Sequence, residues 1–430
     1  MSVPETFNLL IIDPQNDFID APIDGNDKGR LAVTGANTDM DRIVQMINAN
    51  KGKIKKIYVS LDTHTSNHIG HYFYRQLNTD GSLGDLAPPL TIYKVVDDKI
   101  IGEHFDFDTN TYGGYTQEYV VNVADDKDRE IMNKYAKAYI EKLNELNNKE
   151  LNELNKHSAI TWPIHCIPRT GGWKISPTLQ AALDNPEIKD KVEYHIKGQN
   201  QLAEMYSIMQ AEVPYEKLIG GFNEDDQKVI KKYLYNPVDD INSDDREHFK
   251  YIKQVEDISK FESLNQYEPS STFPDVENIK TSFNLQTTFN NDLFNKLTEG
   301  GASIVVCGEA LSHCVKSSTE DIVKKIEDPN NPNKNKNKVY IVANGSSSVG
   351  NFEKYGTAFI KYMRENQETR GVLNIEANGT LNEDVSTQAV GGLRRTRKQN
   401  KVGKRTHKQK KGGKRSRKQN KYNKKRTHRR

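Results

Sequence analysis

Cysteine is scarce in this chain: Cys166, Cys307 and Cys314 are the only three among 430 residues. So sparse and odd a set excludes a disulfide framework and points to free thiols in a reducing compartment. Long apolar runs are lacking too. The N-terminal MSVPETFNLLIIDPQNDF has no basic stretch ahead of its short LLII, so it matches neither a secretory signal nor a membrane span. The expectation is an intracellular protein, cytoplasmic or nuclear, with no membrane span. Hydrophobic residues reach only 35%, against 28% charged, so part of the length is expected to be solvated insertion or tail. Acidic residues are absent from Arg394 to Arg430, where 20 Lys or Arg gather; the near-neutral total of +3 therefore hides a body of −17.

That basic end repeats itself, as RRTRKQNK, KRTHKQKK and KRSRKQNK beginning at 394, 404 and 414. Such a run repels itself and buries nothing, so residues 386–430 are expected to be disordered. Its charge suits sequence-blind attachment to nucleic acid or another polyanion through residues 394–430. The alternatives are a nuclear-import signal or an anchor to an anionic surface.

Residues 1–385 read as one domain. Short β-branched runs, FNLLIID, KIYVSLD, SIVVCG and KVYIVANG, alternate with helical patterns such as MDRIVQMINAN and SSTEDIVKKIED. Near-continuous apolar strands suit a mainly parallel sheet covered by helices on both faces, an α/β doubly wound fold. Its ligand site lies beyond the carboxyl ends of the strands. Two polar stretches interrupt the rhythm, about 72–158 and about 214–281. The first reads as an appended hairpin ending in a polar helix, the second as a surface lid or satellite.

Several chemically capable residues sit at strand ends. Cys314 opens a helical pattern just beyond SIVVCG, where a helix N-terminus lowers a thiol's pKa and offers N–H groups to an oxyanion; an inert buried cysteine is the competing reading. Asp13 can serve as a general base or merely cap a turn. In LDTHTSNHIGH, Asp62 and His64 stand on alternate residues of an extended segment and can face one metal ion, with His68 and His71 beyond. WPIHC adds His165 from a loop. Lys197, if buried near Cys314 and Asp13, favours both anions.

Taken in order, IIDPQNDF, VSLDTHTSNHI, WPIHC, IKGQNQLAEMYS and GEALSHCV resemble the nicotinamidase and isochorismatase-like cysteine hydrolase family over roughly half of the chain. The resemblance implies a flavodoxin-like sheet and a triad at Asp13, Lys197 and Cys314. It also implies a divalent ion, commonly zinc, held by Asp62, His64 and His165 with His71 in reserve. An oxyanion hole would fall on Ala310 and Cys314, beside a cis peptide between Glu309 and Ala310. The substrate would lie against Phe18, Trp162, His313 and Glu309; His313 and Glu309 depart from the family pattern, which places an aromatic and a small apolar residue there. The implied activity is metal-dependent hydrolysis of nicotinamide to nicotinic acid and ammonia through a thioester on Cys314. The alternatives are another small amide as substrate, or a polyanion-binding protein with an inactive hydrolase fold. The partners the sequence allows are thus a small amide, a polyanion and a second copy of the chain in a homo-oligomer.

Overall fold

The computed structural model describes residues 3–22, 28–106, 111–147, 157–167, 170–234, 285–331 and 336–384. The basic 386–430 segment and most of the second insertion lie outside these residues. Among the described residues no helix is long and apolar enough to cross a membrane.

Among the described residues twelve strands form two sheets: β1 (Phe7–Ile12), β2 (Ile54–Asp62), β3 (Tyr74–Leu77), β4 (Leu83–Leu86), β5 (Ile92–Val96), β6 (Lys99–Asp106), β7 (Thr111–Val121), β8 (Val192–Lys197), β9 (Ser303–Gly308), β10 (Val339–Val342), β11 (Arg370–Ile375) and β12 (Leu381–Glu383). The principal sheet runs β12-β11-β10-β9-β1-β2-β8, parallel except for the β11–β12 pair. This is a doubly wound, flavodoxin-like order with one further crossover strand, β8, placed outside β2. β1 shows why the strands read as unbroken apolar runs. All six of its residues are buried, because helices cover both faces.

The chain leaves β1 toward β2 and β8 on one side and returns to β9 on the other, so the order reverses between β1 and β9. Phe7 pairs with Ser303 and Ile12 with Gly308 across that line. Gly308 is held at φ 109°, and a Cβ there would lie 2.1 Å from the carbonyl oxygen of Ile12. Only glycine permits so close a crossing of two strand ends. Gly308→Ala is therefore expected to destabilise the domain by roughly 2–3 kcal/mol, read as a lowered melting temperature; an unchanged melting temperature would refute this account of the crossing.

The first insertion is larger than a hairpin. β4-β3-β7-β6-β5 form a second, antiparallel sheet with its own core. Tyr74, Tyr93 and Tyr119 stack in it, with ring centroids 4.2 and 5.5 Å apart along the series. The helix Asp126–Asn147 closes that core with Met132, Tyr135, Ala136, Tyr139, Ile140 and Leu143, one face at the helical three-four spacing. Two of its tyrosines also reach the segment that follows β8: Tyr135 donates to Leu202 O (2.9 Å) and Tyr139 Oη accepts from Glu204 N (3.0 Å). The insertion thereby braces a stretch that the site uses. Of the second insertion, the short helices Tyr215–Ile219 and Glu224–Lys232 are described.

Candidate active site

Four adjacent strand ends meet at the reversal point. β1 delivers Asp13 in a left-handed conformation (φ 42°), β2 ends at Asp62, β8 ends at Lys197 opposite it, and the turn Leu311–Val315 beyond β9 carries Cys314. Asp13, Lys197 and Cys314 are all buried. Lys197 Nζ lies 3.0 Å from Asp13 Oδ2, 2.8 Å from Asp62 Oδ1 and 3.7 Å from Cys314 Sγ, and it donates to Met205 O at 3.0 Å. Asp13 and Cys314 are also close enough to influence one another electrostatically. A single ammonium thus serves two carboxylates and one sulfur.

The electrostatics follow from burial set against that ammonium. Burial raises the Asp13 pKa and Lys197 only partly offsets it, so this carboxylate is a better proton acceptor than a free aspartate. Burial opposes the charge on Lys197, yet Asp13, Asp62 and Cys314 together hold its pKa well above the ordinary lysine value. For Cys314, burial pushes the thiol up while Lys197 pulls it down, so the resting group is the thiol. Ser60 fixes the Asp13 carboxylate: its hydroxyl donates to Asp13 Oδ1 (2.6 Å) and accepts from Asp13 N (2.9 Å).

Beside the triad lie four buried histidines, and their backbone partners decide which of them can bind a cation. His64 Nδ1 sits 3.0 Å from Gly198 O and His165 Nδ1 2.8 Å from Pro163 O, so each nitrogen carries the proton and each Nε2 presents a lone pair. Both lone pairs converge on Asp62 Oδ2, at 2.8 and 3.3 Å. Lone pairs facing a carboxylate oxygen need a cation or proton among them, so Asp62, His64 and His165 fit a divalent ion. His71 is oriented by Thr65 O (3.1 Å), its Nε2 meets His165 Nδ1 at 3.0 Å, and His64, His71 and His165 lie closely enough together to hold an ion. His64, His68 and Glu204 also cluster closely enough to hold an ion. His68 is closed to it, however, because its Nδ1 accepts from Gly70 N and its Nε2 donates to Ala203 O.

The residues expected against a substrate divide. His313, next to Cys314, sits in an aromatic enclosure with Trp162 at 5.1 Å, Tyr206 at 5.1 Å, Phe352 at 4.9 Å and His157 stacked at 4.0 Å. Trp162 Nε1 donates to Tyr206 Oη (2.9 Å) and is thereby fixed. Phe18 packs edge-on against His165 at 5.4 Å. Glu309 is not brought to this group, since its carboxylate accepts from Ser347 N at 3.2 Å. The peptide bond between Glu309 and Ala310 is cis. Around it, Leu311 N donates to Ser347 O, and His313 N and Val315 N donate to Ala310 O.

Sequence reasoning missed Ser60, Tyr206, Phe352 and His157. Ser60 had a signal, since it stands two residues before Asp62 and so shares its face of β2. The three rings come from separate loops with no shared spacing.

No family model matches the chain, and neither does any curated protein sequence. Among solved structures it is similar to a yeast nicotinamidase at 14% identity and a TM-score of 0.40, covering 85% of this chain and 99% of that one. It is similar to an Acinetobacter baumanii nicotinamidase/pyrazinamidase at 15% identity and 0.38, covering 86% and 97%. A Pyrococcus horikoshii pyrazinamidase in complex with zinc gives 12% and 0.36, covering 86% and 99%. At these identities the likeness concerns the fold alone.

Proposed function

We propose that this chain is a cysteine amidohydrolase of the nicotinamidase type, releasing ammonia from a small amide through a thioester on Cys314. One observation carries the reading: the buried Lys197 ammonium lies 3.0 Å from the Asp13 carboxylate and 3.7 Å from the Cys314 sulfur. Asp13 takes the thiol proton as sulfur attacks the amide carbonyl, and Lys197 holds the anionic charge in place throughout. The backbone N–H groups of Ala310 and Cys314 are assigned to the oxyanion. Asp13 returns the proton to the departing amine, and water then cleaves the thioester with Asp13 again as base. Asp62, His64 and His165 would hold a divalent ion, zinc by the chemistry of the donors, which when bound anchors and polarises the substrate.

Nicotinamide is the substrate we assign from the motif resemblance. A second reading, another small amide with a further polar group, is favoured by His313. Ser312 Oγ accepts from Val349 N (3.1 Å) and is hydrogen-bonded to His313 Nδ1 (2.9 Å). Burial pushes the His313 pKa down to about 3, so the ring is neutral. Its Nε2 is buried with no hydrogen-bond partner among the described residues.

The test is ammonia release from nicotinamide and from a panel of other small amides, with the protein metal-loaded and with it chelated. Removal of the ion is expected to lower turnover by at least about tenfold, with recovery on adding zinc. His165→Ala should bind zinc at least about tenfold more weakly in direct titration, whatever the activity. Full turnover by protein shown to be free of metal would contradict the role given to Asp62, His64 and His165.

A further inference from the structure

Glu309 stands between the last glycine of β9 and the turn that carries Cys314, and its side chain is fully buried. Its backbone N–H donates to Ile12 O (2.8 Å), the residue before Asp13, so the main chain here is pinned to the strand that bears the base. Its carboxyl group and that of Asp39, from the helix Ala36–Ala49, meet on one residue: Ser347 N donates to Glu309 Oε2 at 3.2 Å and the Ser347 hydroxyl donates to Asp39 Oδ2. Two buried carboxyl groups brought together in this way avoid facing each other as anions only if one of them keeps its proton. Asp39 has Arg42 NH1 at 3.4 Å and accepts from the Ser347 hydroxyl, partners that suit an anion. Glu309 has the Ser347 N–H on Oε2, while its Oε1 finds no donor among the described residues. The proton therefore belongs to Glu309.

Ser347 connects this acid pair to the nucleophile. Its N–H and hydroxyl are engaged by Glu309 and Asp39, and its carbonyl accepts from Leu311 N at 2.7 Å. Two residues on, Val349 N donates to the hydroxyl of Ser312. Both residues held in this way lie within the five-residue turn that contains Cys314.

We infer that Glu309, buried beside Asp39 and bound to Ser347, is a positioning residue that fixes through Ser347 the turn presenting Cys314. The inference rests on the reading of Cys314 as the nucleophile. The groups facing Glu309 are Asp39 with Arg42 behind it, Asp20 from the loop after β1, Ser347 from the loop after β10, and the Cys307 thiol of β9. Burial, followed by the charge of Asp39, raises the Glu309 pKa well above that of a free glutamate. The sign follows from the linkage of proton binding to folding. The pair's stabilisation is fully present below the ordinary carboxylate range and is lost as pH rises toward the folded-state pKa, where two buried carboxylates would be left facing one another.

The experiment compares the wild type with Glu309→Gln and Glu309→Ala by melting temperature from pH 6 to pH 9 and by kcat and KM. Gln keeps a donor and never ionises. Its melting temperature should gain on the wild type by at least about 2 °C across that interval. Ala should lose about tenfold or more in kcat with KM little changed, and Gln should restore most of that loss. Parallel melting curves for the wild type and Glu309→Gln, or equal kcat losses for Gln and Ala, would overturn the inference. If no protein in the series, wild type included, hydrolyses any amide, the amidohydrolase reading fails, while the melting comparison still decides whether the acid pair holds a proton.

Discussion

Replacing Cys314 with alanine is expected to lower amide turnover by at least about 10⁴-fold, since the proposed thioester forms on its sulfur. The fold should survive, because the sulfur contributes little packing beyond the β-carbon that alanine retains. Its neighbours make the effect specific: Lys197 Nζ lies 3.7 Å from the sulfur and 3.0 Å from Asp13 Oδ2. The check is ammonia release with a coupled assay, beside a melting curve that shows the variant folded. A folded Cys314→Ala protein with more than about a hundredth of the wild-type rate would exclude covalent catalysis at this position.

The second large effect belongs to Lys197, and it concerns stability as well as rate. Lys197→Met removes the one ammonium that lies 3.0 Å from Asp13 and 2.8 Å from Asp62. Leaving buried carboxylates without their partner costs about 3–5 kcal/mol, although methionine fills much of the volume. The Asp62 pKa is held well below the usual aspartate range: burial opposes this, but the charges of His64 and Lys197 prevail. Its stabilising contribution is therefore present above that range and lost as pH falls through the depressed folded value. In Lys197→Met the depression should shrink, so the contribution should be smaller and its loss complete at a higher pH. Adding Asp13→Asn should recover part of the lost stability, because a neutral amide tolerates the missing cation; a double-mutant cycle measures this. If the Lys197→Met protein melted within about a degree of the wild type, the ammonium would have no part in balancing the site.

The sequence displayed the strand ends more clearly than what surrounds them. FNLLIID and SIVVCG are legible because strands buried on both faces leave unbroken apolar runs, and a charged residue or a glycine after such a run marks its carboxyl end. Asp13, Asp62 and Gly308 were found in this way. β8 is harder, since VEYHIK is a half-exposed edge strand whose first five residues are only partly buried. Lys197 stood out there chiefly through its motif. The five-stranded insertion escaped because its core is built on tyrosines such as Tyr74, Tyr93 and Tyr119, which read as polar in composition yet bury their rings. The direction of the Glu309 side chain was invisible for a different reason. Asp39 and Ser347 lie 270 positions before it and 38 positions after it, and nothing local in GEALSHCV says which way a carboxylate will turn.

The central claim, that sulfur at position 314 attacks the substrate, is met most directly by acid-quenching the enzyme during turnover and mapping the acyl group by peptide mass spectrometry. The account predicts an acyl group on Cys314 in the wild type, none at this position in Cys314→Ala, and none on Cys166 or Cys307 in either. Steady ammonia release with the acyl group on another residue, or undiminished release by Cys314→Ala, would contradict it.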